Sequence, residues 1–173
     1  MTTRKETAHV RRLLTLLFSL LALVGCDRQG RPVEEFGLDK LAKGVSTESE
    51  VRMVMGEPDH VRTDPQGAKI LEYPKGPEGA RTWFFLIGSD GKLVDYQQVL
   101  NEKNFARITQ GMTQEEVRDL LGRPRSVVQF KRKNEEVWDW RYLSGTEPRL
   151  FNVHFDIDTR RVTGTSSLDA NNY

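Results

Sequence analysis

His154 and Asp156 stand two residues apart where apolar side chains alternate, Phe151, Val153, Phe155 and Ile157, so both fall on one face of a predicted strand. That pair would be half of a proton-transfer dyad. It lacks a nucleophile, and polar residues on a wet sheet face explain it as well. His60 has no second His, Cys, Asp or Glu at a spacing that a helix or hairpin would gather around a metal. There is no Gly-x-Ser-x-Gly elbow and no phosphate loop, and Gly88-Ser89-Asp90-Gly91 fits a hairpin turn. We therefore expect no catalytic residues, no metal ligands, no cofactor and no small-molecule substrate. Two clusters suit binding better. Trp138, Trp140 and Tyr142 alternate on one strand and form a candidate partner surface. Lys131-Arg132-Lys133, with Arg123 and Arg125 nearby, suits anionic lipid headgroups or a solvated hairpin tip balanced by Glu135 and Glu136.

The one cysteine has a more definite chemistry. Arg4, Lys5, Arg11 and Arg12 precede an apolar run from Leu13 to Val24, too short to span a bilayer and the right size for a signal-peptide core. Leu23-Val24-Gly25-Cys26 follows and resembles a bacterial lipobox, with cleavage between Gly25 and Cys26 and acylation, including palmitate, on Cys26. A lone thiol has no partner for a disulfide within the chain, whereas several acyl chains at about 0.8 kcal/mol per buried CH2 make a lasting membrane anchor. His9 departs with the leader. Removal of residues 1–25 leaves 22 Lys plus Arg against 24 Asp plus Glu, a near-neutral chain with none of the basic excess that a nucleic-acid partner requires.

The elements that must position these residues occur twice. Thr113 and Glu116 are spaced as a capping box, Val117, Leu120 and Leu121 give a two-turn apolar stripe, and Gly122 with Pro124 is a stop. Thr47, Glu50, Val51, Val54, Met55, Gly56 and Pro58 repeat that arrangement 66 residues earlier. Ahead of each lies a predicted short helix, from Leu38 through Val45 and from Asn104 to Thr109. After each, the period changes to two. Strands are predicted around Val61, Ile70 to Tyr73, Thr82 to Ile87 (apolar on both faces, hence covered on both) and Leu93 to Leu100, then Val127 to Phe130, Val137 to Leu143, Phe151 to Ile157 and around Val162.

The fold class this predicts is α+β: two tandem repeats, each two short helices packed on an antiparallel sheet of three to four strands. The expected domains are a signal peptide at 1–25, a tether at 26–37, repeats at 38–100 and 104–165, and a frayed end at 166–173.

Gly111-Met112-Thr113, Val117, Leu120-Leu121-Gly122 and Pro124, followed by a strand bearing Trp and Tyr and a Phe-x-x-Asp hairpin, resemble the BamE (SmpA/OmlA) family of envelope lipoproteins. The first repeat keeps Gly44, Thr47, Val51, Gly56 and Pro58, and the tandem form resembles the fold of the periplasmic β-lactamase inhibitory protein. The resemblance covers roughly 38–165. It implies a non-enzymatic, periplasm-facing lipoprotein, anchored to the outer rather than the inner membrane, that assists β-barrel assembly or envelope integrity. Its implied partners are the membrane and the β-barrel assembly machinery. The alternative is a periplasmic inhibitor or regulator that grips another protein with its tandem sheets. Asp27, directly after Cys26, resembles an inner-membrane retention signal and keeps the choice of membrane open.

Overall fold

The structure, a computed structural model, describes residues 37–76 and 79–170. The leader, Gly25, Cys26 and most of the tether therefore lie outside the described residues. The chain divides into two units, 1–40 and 41–173. Of the first, the described part is Gly37 and a single 3-10 turn, Leu38–Lys40, in which the Lys40 N–H donates to the Gly37 carbonyl at 3.0 Å.

The second unit holds the rest of the first repeat and all of the second. Helix α1 (Glu48–Met55) is followed by β1 (His60–Thr63), β2 (Lys69–Lys75), β3 (Arg81–Ile87) and β4 (Leu93–Gln98), an antiparallel sheet in the order β1-β2-β3-β4. Helices α2 (Glu102–Phe105) and α3 (Gln114–Leu121) are followed by β5 (Ser126–Phe130), β6 (Glu135–Ser144), β7 (Glu147–Asp156) and β8 (Val162–Asp169), in the order β5-β6-β7-β8. The fold class is α+β, with four strands in each sheet.

The repetition extends to single hydrogen bonds. Gly44 N–H donates to the Leu93 carbonyl at 2.7 Å and Gly111 N–H to that of Val162 at 2.8 Å. Both capping boxes form: Glu50 N–H donates to Thr47 Oγ1 at 3.3 Å and Glu116 N–H to Thr113 Oγ1 at 3.1 Å, while each glutamate accepts the threonine N–H at 2.7 Å. Gly56 and Gly122 end the helices at φ +84° and +78°.

Helices of eight residues are marginal alone, so packing must hold them. Val51 and Met55 of α1 are buried with Leu71, Tyr73, Phe85, Ile87 and Leu93, whose register places them on one face of the first sheet. Val117 and Leu121 of α3 join Phe105, Trp138, Trp140, Tyr142, Phe151, Val153 and Phe155 in a second core. Phe84, from the opposite face of the first sheet, belongs to that second core, and Ile70 packs against it. As the unbroken apolar run predicts, β3 is covered on both faces, although Leu86 stays 37% exposed.

Three expectations change. The first helix of repeat one shrinks to the 3-10 turn and a tight turn from Ala42 to Ser46, because Gly44 at φ +76° leaves helical backbone and is pinned to Leu93. Val45, expected in its apolar stripe, is 71% exposed. In repeat two the short helix starts earlier, at Glu102, because Asn101 caps it by accepting the Asn104 N–H at 3.0 Å. The end expected to fray at 166–173 is ordered as β8 through Asp169. Ten-residue β7 offers it partners, pairing Leu150 with Leu168 and Arg149 with Asp169.

Candidate functional site

Across the second sheet, on the face turned away from α3, three strands bring together a row that the sequence does not announce. His154 Nδ1 lies 2.8 Å from Glu135 Oε1 and its Nε2 lies 3.0 Å from Ser166 Oγ, while Asn152 Nδ2 donates to the same hydroxyl at 3.3 Å. A serine, a histidine and a carboxylate in series are the parts of an acyl-transfer relay. A working relay also needs preorganised donors where an oxyanion would develop, and in its α/β-hydrolase form the nucleophile is raised on a strained turn. Ser166 instead lies flat in the middle of β8, paired with Asn152 of β7. The row stitches β6, β7 and β8 together. Its partners come from 19 and 12 residues away, so no local spacing could reveal it.

Asp156, the sequence partner of His154, serves a turn. It accepts from Thr159 N–H at 2.8 Å, Thr159 Oγ1 at 2.9 Å and Asn134 Nδ2 at 3.0 Å. These donors, the Thr159 backbone foremost, hold its carboxyl below the usual range. His60 is exposed at the start of β1. Among the described residues no cluster of three or more His, Cys, Asp or Glu could hold a metal.

The arginines near the exit of α3 join the repeats to each other and to their own sheets. Arg123 N–H donates to Glu72 Oε1 at 2.6 Å and its guanidinium reaches Asp59 at 3.3 Å. Arg125 Nε donates to Asp139 at 2.6 Å, and the Ser126 hydroxyl donates to the same carboxylate. Arg62 of β1 pairs with Asp119 of α3. Lys131–Lys133 forms an exposed 3-10 turn at the hairpin tip. Glu135 and Glu136, expected to balance it, bond elsewhere: Glu135 to His154, and Glu136 to Gln114, Gln129 and Trp138.

The aromatic partner surface is corrected. Trp138, Trp140 and Tyr142 do share a face, but they are 8%, 1% and 2% exposed. Helices α2 and α3 and Phe84 of the first sheet cover that face. Trp140 Nε1 donates to the Gly122 carbonyl at 3.3 Å, Trp138 packs on Phe155 at 4.9 Å, and Tyr142 meets Phe105 edge-on at 4.7 Å. They are core, and Cys26 and Gly25 lie outside the described residues.

The class this architecture defines is an α+β scaffold of two repeats, each a capped helix and an antiparallel sheet, joined through the second core. More particularly, residues 98–163 match the family model described as the outer membrane protein assembly factor BamE domain. No curated protein matches the chain. Among solved structures it is similar to an extracellular protein containing an SCP domain from Bacillus anthracis, at 16% identity over 87% of this chain and a TM-score of 0.31. The chain spans 51% of that protein. It is also similar to a DUF4309 family protein from Bacillus subtilis, at 20% identity over 75% of this chain and 82% of that one, TM-score 0.28. A β-lactamase inhibitor protein from Streptococcus mutans matches at 8% identity over 76% of this chain and 92% of that one, TM-score 0.30.

Proposed function

We propose that this chain is a lipid-anchored lipoprotein of the outer membrane, facing the periplasm, that acts without catalysis as a docking module for the machinery assembling β-barrel proteins. The single observation that carries the reading is the BamE-domain match over 98–163. His154 and Asp156, which look like half of a dyad in the sequence, are held in a sheet row and in a turn. The anchor is the acyl-modified Cys26, and no other group is needed for the function.

Affinity purification of the full chain from detergent-solubilised membranes tests this. Recovery of β-barrel assembly proteins is expected. Recovery of one soluble periplasmic enzyme in their place would refute it and favour the inhibitor reading. The anchor is tested separately by Cys26→Ala, which should move the protein out of the membrane fraction. Unchanged fractionation would mean that lipidation does not hold it there.

A further inference from the structure

A sheet edge exposes a row of unpaired N–H and C=O groups, and proteins usually blunt it with shortness, charge or a bulge. Three of the four edges here are blunted. Strand β1 has four residues, and its Arg62 is paired with Asp119. Strand β4 meets β3 through a register shift at Leu86/Ile87 and carries Asp95, paired with Lys43. Strand β8 meets β7 through a shift at His154/Phe155 and contains Gly164.

Strand β5 has none of these devices. Ser126-Val127-Val128-Gln129-Phe130 contains no charge and no proline and pairs with β6 in unbroken register. Val127, Val128 and Phe130 are 50%, 45% and 45% exposed. The edge runs straight into Lys131-Arg132-Lys133, which no carboxylate among the described residues pairs.

We propose that β5 is a strand-addition site for an extended segment of another protein, with apolar side chains at alternate positions and carboxylates at the end lying beside Lys131–Lys133. Added main-chain hydrogen bonds would supply affinity, and Val128 and Phe130 on one face, with Val127 on the other, would read alternate side chains. The antiparallel pairing that both sheets use throughout makes the acidic end of the incoming segment its N-terminal end. The charge argues against a second copy as occupant. Antiparallel pairing of two β5 strands would set the basic turn of each against the Arg123–Arg125 end of the other. The inference goes beyond the assembly reading and does not depend on it.

The test uses the full chain in detergent micelles and a peptide of about ten residues, the length of a barrel-spanning strand, made of alternating Val and Thr behind two Asp. Saturable binding is expected. N-methylation at every second peptide residue should weaken it ~tenfold by deleting ladder bonds, while N-methylation at the intervening residues should not. The exposed triple variant Lys131→Glu, Arg132→Glu, Lys133→Glu should bind that peptide ~tenfold more weakly, and a peptide with two Lys in place of the Asp should reverse the preference. Loss that is equal at all N-methyl positions, equal binding of acidic and basic peptides, no binding, or self-association of the chain competing at the edge would each overturn the proposal. Co-purification of assembly proteins without peptide binding would sink this inference alone. Peptide binding without co-purification would sink the assembly reading alone.

Discussion

Tyr73 and Trp140 occupy corresponding places in the two repeats, each buried on the helix-covered face of its sheet, at 1% exposure. Their polar ends fare differently. Trp140 Nε1 finds the Gly122 carbonyl, whereas the Tyr73 hydroxyl is buried with no hydrogen-bond partner among the described residues. A buried hydroxyl without a partner is a cost, so Tyr73→Phe should leave stability unchanged or raise it by up to about 1 kcal/mol in urea unfolding. A clear loss would mean that the hydroxyl has a partner. Burial pushes the Tyr73 pKa from 10.0 up to about 12. A raised folded pKa favours the neutral form, so this contribution is complete below pH 10.0 and disappears as pH climbs through about 12. Trp140→Ala should cost ~3–5 kcal/mol, as expected of core and not of a surface contact. Alternation made the shared face of Trp138, Trp140 and Tyr142 legible. What covers that face was not legible, because Phe84 comes from the other repeat and contributes through the opposite side of its own sheet.

The helices are where local sequence rules speak most clearly. Caps, stripes and stops all form within a few residues of each other, and both Thr-x-x-Glu boxes close as their spacing requires. Thr113→Ala should therefore destabilise by about 1 kcal/mol, with Thr47→Ala costing a similar amount. The backbone N–H groups of Thr47 and Thr113 hold the Glu50 and Glu116 carboxyls below their ordinary 4.5. A depressed folded pKa stabilises above the unfolded value and is lost as pH falls through the folded one. Glu50→Gln with Glu116→Gln should thus reduce stability at neutral pH and flatten its fall below pH 4.5, as followed by circular dichroism. An unchanged acid limb would contradict the boxes. Legibility fails where the decisive contact is distant. The predicted helix through Val45 gives way because Gly44 bonds to Leu93, and β8 continues past Leu168 because β7 is long enough to receive it. The row of Glu135, His154 and Ser166 is likewise a product of register, which single-strand patterning does not contain.

At the level of the molecule, the two repeats are the same local device placed in unlike surroundings. Helix α3 ends where the repeats meet, and α1 ends in open space. A Cβ on Gly56 would meet nothing within 4 Å, whereas one on Gly122 would lie 2.7 Å from Glu72 Oε1 and 3.1 Å from Thr82 Cγ2. Glu72 is 2% exposed and already receives the Arg123 N–H. The stretch around Gly122 is thus the joint of the scaffold, whereas Val127, Val128 and Phe130 of the β5 edge are exposed. Comparing Gly56→Ala with Gly122→Ala by urea unfolding tests this most directly. Both variants force alanine into positive φ, at roughly 1–3 kcal/mol each. A distinctly larger loss is expected for Gly122→Ala, because Glu72 must also be displaced. Equal losses would contradict it, since the joint between the repeats would then not lie at that glycine.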